Sequence, residues 1–336
     1  MAWVELLRRP NRWLLTALIT ASVLLVAISL IARFQPVSNI PGLVLAVGSP
    51  YTVLTAFAGL FVAVLCRRFL LSVLAAAAVM PSLAVQISWY YFEQPADIVA
   101  CQDIRVLASN LRYGEADPGF VVSLASANTD VITVAELTPE AVQRLNQSGI
   151  EAAFPYSRLL PADGARGIGI WSRYPLDDFS VHGHPGVYVA AALLRVPGMS
   201  FRPLVASVHV TSPLREESNT VDEWRSGMAS ARAELDSFAR TAGPGAVIVG
   251  GDYNSTPDMR QFRDLLTNGY RDAVEQSGSG FAPTFPSNRR IPPLITIDHV
   301  LTRNAAAESV RTIKVPGSDH RALLATIRVP IDPTAS

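Results

Sequence analysis

Through the last two thirds of this 336-residue chain, acids, amides and histidines recur directly after short runs of aliphatic and β-branched residues: Asn110, Glu136, His209, Asp252 with Asn254, Asp298, and Asp319 with His320. Carboxylate and amide oxygens are the ligands that hard cations such as Mg²⁺ or Mn²⁺ prefer, and a neutral imidazole accepts a proton near neutral pH. Together they suit attack of water on a phosphate group held by a metal. Singly, each has a plainer explanation. An Asn after a strand serves turns, Glu136 reads as a solvated strand end, and Asp252 with Asn254 reads as an Asx-turn cap before Pro257. The repetition of the pattern at successive strand ends favours the chemical explanation.

Residues of this kind converge only if the strands that carry them are set side by side. The runs that predict strands are Ile104 to Ser109, Asp130 to Ala135, Gly167 to Trp171, Val187 to Leu194, Leu204 to Val210, Ala246 to Val249, Thr296 to Leu301 and Ala322 to Val329. Helices are predicted at Pro118 to Ala127, Pro139 to Gln147, Arg215 to Arg240 and Met259 to Thr267; a proline in the first turn marks the start of the first two. This makes residues 101–330 one domain, with 331–336 as a disordered tail.

The motifs are Ser-Asn-Leu at 109 to 111, Ala-Glu-Leu at 135 to 137 and Gly-Ile-Gly-Ile-Trp-Ser-Arg-Tyr-Pro-Leu at 167 to 176. They continue with Val-His-Val-Thr-Ser-Pro at 208 to 213, Gly-Gly-Asp-Tyr-Asn-Ser-Thr-Pro at 250 to 257, Ile-Asp-His-Val at 297 to 300 and Ser-Asp-His-Arg-Ala at 318 to 322. In this order the series resembles the endonuclease/exonuclease/phosphatase superfamily, over residues 103 to 329. The resemblance implies an α+β fold, a four-layer α/β/β/α sandwich of two mainly antiparallel sheets with the active site at one edge. It implies Glu136 as principal metal ligand, with Asn110 and Asp319 near the metal, which would be Mg²⁺ or Mn²⁺. Asp252 and Asn254 would orient the attacking water or contact phosphoryl oxygens, Asp252 alternatively helping to bind a second metal. His320, aligned by Asp298, would be the general base, and His209 would hydrogen-bond the phosphate or protonate the leaving oxygen. A degenerate binding module is the non-enzymatic alternative, which the complete motif set argues against.

Other polar residues carry weaker signals. His299 adjoins Asp298 on a strand and should point to the opposite face. His182 and His184 form a His-Gly-His pair with no third ligand beside it in sequence, and they read as a surface loop. Arg166 could touch an anionic substrate, and Arg173 reads as structural.

The first hundred residues differ in kind. Trp13 to Ala32, Leu43 to Cys66 and Phe69 to Phe92 are apolar over lengths that meet the roughly 20 residues needed to cross a bilayer core of about 30 Å. We read residues 1–100 as a membrane anchor of three transmembrane helices. A cleaved signal peptide is the competing reading of the first run, but its apolar core is too long and no small-residue cleavage site follows it. Pro50 and Pro81 are tolerable inside membrane helices, whose neighbours satisfy the freed carbonyls. Arg8, Arg9 and Arg12 precede the first run, and Arg67 with Arg68 separate the second from the third. Basic loops stay cytoplasmic, so the odd number of spans predicts a multi-pass protein of the cell membrane with its catalytic domain extracytoplasmic. Trp89, Tyr90 and Tyr91 fit an interfacial belt. Cys66 and Cys101 fall at opposite ends of the third run and cannot pair within the chain.

The whole chain is neutral, with 28 basic and 28 acidic residues, and beyond residue 100 it is mildly acidic, with 22 against 25. Such a balance disfavours nucleic acid as partner. A domain tethered by the segment near Glu93 to Asp103 would instead work at the lipid bilayer, on a phosphorylated lipid or another phosphoester. The layout also resembles membrane proteins of the VanJ type associated with teicoplanin resistance, which implies a lipid-linked cell-envelope precursor such as undecaprenyl diphosphate. A sphingomyelinase-like phosphodiesterase and an extracytoplasmic nuclease are the alternatives. Protein partners are not legible.

Overall fold

A computed structural model describes residues 12–93, 100–214 and 220–335. The chain forms two compact units, Met1–Trp89 with Asp258–Arg260, and Tyr90–Pro257 with Gln261–Ser336.

In the first unit, helices α1 (Arg12–Phe34), α2 (Ile40–Leu65) and α3 (Phe69–Tyr90) follow the three apolar runs, and each is long and apolar enough to cross a membrane. Asn39 caps α2 by accepting a hydrogen bond from the Gly42 N–H at 2.8 Å, with Pro41 in the first turn, where its missing N–H costs nothing. Pro50 and Pro81 lie inside α2 and α3 without ending them. Val26, Val53, Ala56 and Val79 form a small shared core, while Trp13, Leu18, Leu54, Phe61 and Leu70 face outward. This inverts the arrangement of a water-soluble bundle and is the distribution that helices in contact with lipid require. A side chain at Gly59 would meet Ser22 Oγ at 2.4 Å, so glycine lets α1 and α2 approach closely. Arg8 and Arg9, part of the orientation argument, lie outside the described residues, as do residues 94–99 of the tether.

The second unit is built from β1 (Cys101–Asn110), α4 (Pro118–Asn128), β2 (Val131–Ala135), α5 (Pro139–Gln147), α6 (Ile150–Ala153), β3 (Tyr156–Leu160), β4 (Ile168–Ser172), β5 (Leu176–Asp178), β6 (Val187–Leu194), β7 (Leu204–Val210), α7 (Thr220–Ala242), β8 (Val247–Asp252), α8 (Arg260–Arg263), β9 (Arg271–Asp272), α9 (Ala273–Ser277), β10 (Asp298–Arg303), β11 (Ala306–Lys314) and β12 (Arg321–Pro330). Two six-stranded sheets result, ordered β11-β12-β1-β2-β4-β3 and β5-β6-β7-β8-β10-β9. Each has one parallel pair at its centre, β1 with β2 and β7 with β8, and antiparallel pairs on either side. The central strands are buried along both faces, so they read as continuous apolar runs.

The sheets pack face to face. Ser207 Oγ donates across the interface to the Val134 carbonyl at 3.0 Å. A side chain at Gly250 would lie 2.4 Å from Thr133 Oγ1, so glycine is required where β8 crosses β2. Helices cover the outside, giving the sandwich expected from sequence. Val121, Ala125, Ala141 and Leu145 of α4 and α5 join Leu107, Ile132 and Trp171 in one core, and α7 buries Trp224, Met228, Leu235 and Phe238. Asp117 and Thr138 cap α4 and α5, each followed by the proline that marked the start.

Four strands were not predicted: β3, β5, β9 and β11. The helix expected at Met259 to Thr267 shrinks to α8, because the Leu265 and Leu266 amides bond back three residues, to Phe262 and Arg263, and tighten the chain into turns. The predicted start of the long helix at Arg215 lies outside the described residues. Beyond Pro330, where sequence suggested disorder, the Ile331 amide bonds the Ala100 carbonyl, and Asp332 accepts from Thr334 in a turn.

Candidate active site

Strand direction explains how residues spread over more than 200 positions meet. The parallel pairs β1–β2 and β7–β8 bring their C-terminal ends to one edge, delivering Asn110, Glu136, His209 and Asp252. Strands β10 and β12 run antiparallel to β8 and β1, so their first residues return to that edge. Asp298 stands opposite Asp252 in the ladder, as does His209 on the other side.

Asn110 ties the two sheets together: its Nδ2 donates to Glu136 Oε1 and to Asp252 Oδ2, both at 3.0 Å. Its Oδ1 accepts from the Arg112 amide at 2.8 Å. The second oxygen of Glu136 accepts from the Tyr113 amide at 2.7 Å, which fixes the carboxylate from both ends. Asn254 donates through its backbone amide to Asp252 Oδ1 at 2.8 Å and through Nδ2 to the Val210 carbonyl at 2.9 Å.

The two histidines are held by their inner nitrogens. His209 Nδ1 lies 2.8 Å from the Ala165 carbonyl, an acceptor only, so Nδ1 carries the proton there. Its Nε2 lies 3.9 Å from Glu136 Oε1 and 3.8 Å from Asp252 Oδ2. His320 Nδ1 lies 2.8 Å from Asp298 Oδ2, and Nε2 faces Asp252 Oδ2 at 3.8 Å. Asp252 is therefore shared by two clusters, one with Asn110 and Glu136, the other with Asp298 and His320.

Backbone strain gathers here. Arg112, Tyr113, Glu136 and Asn254 all have positive φ, with values of 49°, 51°, 59° and 47°. Each costs an L-residue about 1–2 kcal/mol, and the surrounding hydrogen bonds hold them in place.

Electrostatics follow from burial. Burial first, then the neighbouring Asp298, pushes Asp252 up to about 6, against opposing pulls from His320 and His209. For His320, burial works to lower the pKa, but Asp298, Asp252 and the hydrogen bond to Asp298, with Asp319 beyond, outweigh it and raise it to about 10. A raised folded-state pKa stabilises the fold below the unfolded value and ceases to do so above the folded one. In chelator, the stability advantage of the wild type over His320→Gln should therefore shrink between pH 6.5 and about 10. Thermal unfolding across that range measures it, and an advantage that stays constant or grows would contradict the assignment.

Three carboxylates, an amide and imidazoles in a buried cluster fit a divalent cation of the oxygen-seeking kind. One oxygen or nitrogen from each of Asp252, Asp298 and His320 lies within 4.8 Å of the others, so these residues could hold a metal. Asp252 and Asp298 stand side by side with repulsion that a cation would relieve. Glu136 and Asn110 adjoin the group through Asp252. Asp319 is 27% exposed, and Arg112 Nε lies 4.0 Å from it.

His299 points to the opposite face, as strand alternation requires, with Nδ1 2.6 Å from Asp272 and Nε2 2.9 Å from the Ser255 carbonyl. Ser318 was not singled out by sequence. Its hydroxyl donates to the Asn110 carbonyl at 2.8 Å and accepts from the His320 amide at 3.0 Å, joining the two sides of the site. Its place in the Ser-Asp-His motif was the available signal. The Phe285 ring, 5.0 Å from that of His320, carried none. Cys66 and Cys101 are free thiols.

The model of the endonuclease/exonuclease/phosphatase family matches residues 102–320. Among curated proteins, none matches the chain in sequence. Solved structures do resemble it. A humanized TDP2 from D. rerio is 18% identical with a TM-score of 0.54, covering 67% of this chain and 98% of its own. The 3′ phosphatase NExo from Neisseria, bound to a product DNA hairpin, is 17% identical with a TM-score of 0.53, covering 66% and 98%. An endonuclease/exonuclease/phosphatase family protein from Bacteroides thetaiotaomicron is 11% identical with a TM-score of 0.53, covering 68% and 98%. At these identities the likeness is one of fold.

Proposed function

Because the chain belongs to the endonuclease/exonuclease/phosphatase family and is thus a metal-dependent phosphoesterase, we propose that it hydrolyses a lipid-linked phosphate ester or diphosphate of the cell envelope, such as undecaprenyl diphosphate, at the outer membrane face. The observation that carries the chemistry is the convergence of Asn110, Glu136, Asp252, Asp298 and His320 at one edge of the sandwich. What directs it to lipid is the covalent attachment of this unit to three apolar helices, since tethering to the substrate's own surface raises effective concentration. Arg67 and Arg68 between α2 and α3 support the outside orientation, and the layout's likeness to the VanJ type supports the substrate class.

Glu136, with Asn110 and Asp319, would hold Mg²⁺ or Mn²⁺. When bound, the cation supplies positive charge that withdraws electron density from the phosphoryl oxygens and weakens the hold of the nearby carboxylates on the His320 proton. Asp298 fixes the His320 ring through Nδ1, leaving Nε2 to take a proton from water as the water oxygen attacks phosphorus. Asp252 and Asn254 orient that water or the phosphoryl oxygens. The bond from phosphorus to the leaving oxygen breaks in the same step, and His209 donates a hydrogen bond or a proton to the departing group. No phospho-enzyme forms.

A second reading has one observation in its favour: the similar 3′ phosphatase was solved with product DNA. The mildly acidic composition beyond residue 100 weighs against it. One experiment separates the readings. The full chain in detergent, with Mg²⁺ or Mn²⁺, is given undecaprenyl diphosphate, sphingomyelin and 3′-phosphorylated DNA. Release of inorganic phosphate from the lipid diphosphate should exceed turnover of the other two by about tenfold or more, the worth of a modest binding preference. Faster turnover of DNA or sphingomyelin would overturn the lipid-diphosphate assignment.

A further inference from the structure

The loop joining β5 to β6 lies across α7 and ends where β6 begins, with Tyr188 opposite His209. The Phe179 ring packs edge-on against Phe238 at 5.6 Å, Ser230 Oγ donates to the Pro185 carbonyl at 2.9 Å, and a side chain at Gly227 would stand 2.2 Å from the Gly186 carbonyl oxygen. These contacts fall along one stripe of the helix, and Glu234 lies on the same stripe. Its side chain is 1% exposed, and neither carboxylate oxygen has a hydrogen-bond partner among the described residues. Burying a carboxylate in this way is costly unless a cation compensates it.

The nearest candidate is His184, 40% exposed, whose Nε2 lies 3.7 Å from Glu234 Oε1. That is too long for an N–H···O hydrogen bond, which closes to about 2.7–3.2 Å. It is close to the separation of about 3.3–3.6 Å between two ligand atoms of one tetrahedral ion with bonds of 2.0–2.2 Å. The His182 ring is roughly parallel to that of His184, with centroids 6.5 Å apart, and must turn to bring a nitrogen to the same ion. Gly183 between them has φ of +65° and open space around it, so the two imidazoles can adjust without a clash. Sequence displayed the His-Gly-His pair but no third ligand; α7 supplies one, fifty residues further on.

We infer that His182, His184 and Glu234 form a second metal site, sharing no residue with the catalytic cluster, that takes a divalent ion of the zinc class. Two imidazole nitrogens and one carboxylate suit Zn²⁺ better than Mg²⁺, and water completes the coordination. The ion neutralises the buried carboxylate and pins the loop to α7.

The test uses the full chain in detergent with millimolar Mg²⁺, which satisfies the oxygen-rich catalytic cluster, and titrates Zn²⁺ by equilibrium dialysis and Co²⁺ by visible absorption. One equivalent of Zn²⁺ should bind, and Co²⁺ should give the intense bands of a tetrahedral site. His184→Ala and Glu234→Gln should each weaken binding by about 100-fold or more, with His182→Ala also weakening it, since even outer-sphere losses cost 10–100-fold. Mg²⁺-dependent phosphoester hydrolysis should stay unchanged in His182→Ala and His184→Ala. Both positions are exposed, so these variants decide the matter even if Glu234→Gln fails to fold. Zn²⁺ binding that is absent, unaffected by the histidine variants, or abolished only by Glu136→Gln would overturn the assignment. No absorption bands for Co²⁺, together with a thermal stability that changes with pH in the wild type and not in His184→Ala, would show a simple His184–Glu234 ion pair and would overturn it equally.

Discussion

Glu136→Gln is expected to lower metal-dependent phosphoester hydrolysis by about 100- to 1000-fold, the usual cost of removing one preorganised electrostatic contact from such a site. The reason lies in how the carboxylate is held. One oxygen accepts from Asn110 Nδ2 and the other from the Tyr113 amide, at 3.0 and 2.7 Å. A glutamine must turn its own N–H₂ toward one of those donors, so it loses a hydrogen bond as well as the negative charge beside Asp252. The fold should persist, because the strands that end at the site are anchored by their own ladders. Initial rates against Mg²⁺ concentration, with circular dichroism as a check on folding, measure the effect. Raised half-saturation for Mg²⁺ together with a lowered maximal rate is the expected pattern. A folded variant of wild-type activity would remove Glu136 from the chemistry.

His320→Ala should cost about 100- to 10,000-fold in kcat, the range of a positioned general base. Its distinguishing readout is the pH–rate profile. If His320 takes the proton of water, the acid limb of kcat in the wild type reports its titration, and that limb disappears in the variant. Asp298→Asn supplies the complementary case. The amide can offer an N–H to Nδ1, which turns the lone pair inward and the proton outward, so kcat should fall while substrate binding is retained. Identical acid limbs in wild type and His320→Ala would assign the base elsewhere.

How much of this was legible in the residues depended on where they lie along their strands. The central strands are long, apolar and buried on both faces, and a polar residue at the end of such a run stands out; hence Asn110, Glu136, Asp252 and Asp298 were visible. The missed strands are of another kind. β5 and β9 span three and two residues, too short to show alternation, while β3 is an edge strand with no buried position and β11 is half exposed, so neither carries an apolar signature. Positive φ at Arg112, Tyr113 and Glu136 had no sequence signal, since none is of a type that favours this region as Asn254 is, and Tyr113 and Glu136 are joined by a hydrogen bond closed across more than 20 residues. Glu234 was hidden differently. A glutamate within a charged helix reads as a solvated face, and only the loop laid over α7 shows that it is enclosed.

The order of the first sheet also bears on how the protein is made. β1, the first strand of its unit, lies between β2 and β12, the last strand of the chain, and is paired with it from Cys101 through Ala108. Its hydrogen-bonding edge can be filled only after Pro330 has been synthesised, and the contacts involved are among the most distant in sequence, which slows folding. The membrane helices are complete long before that. A nascent chain with its apolar helices made and its last strand still missing cannot close this sheet.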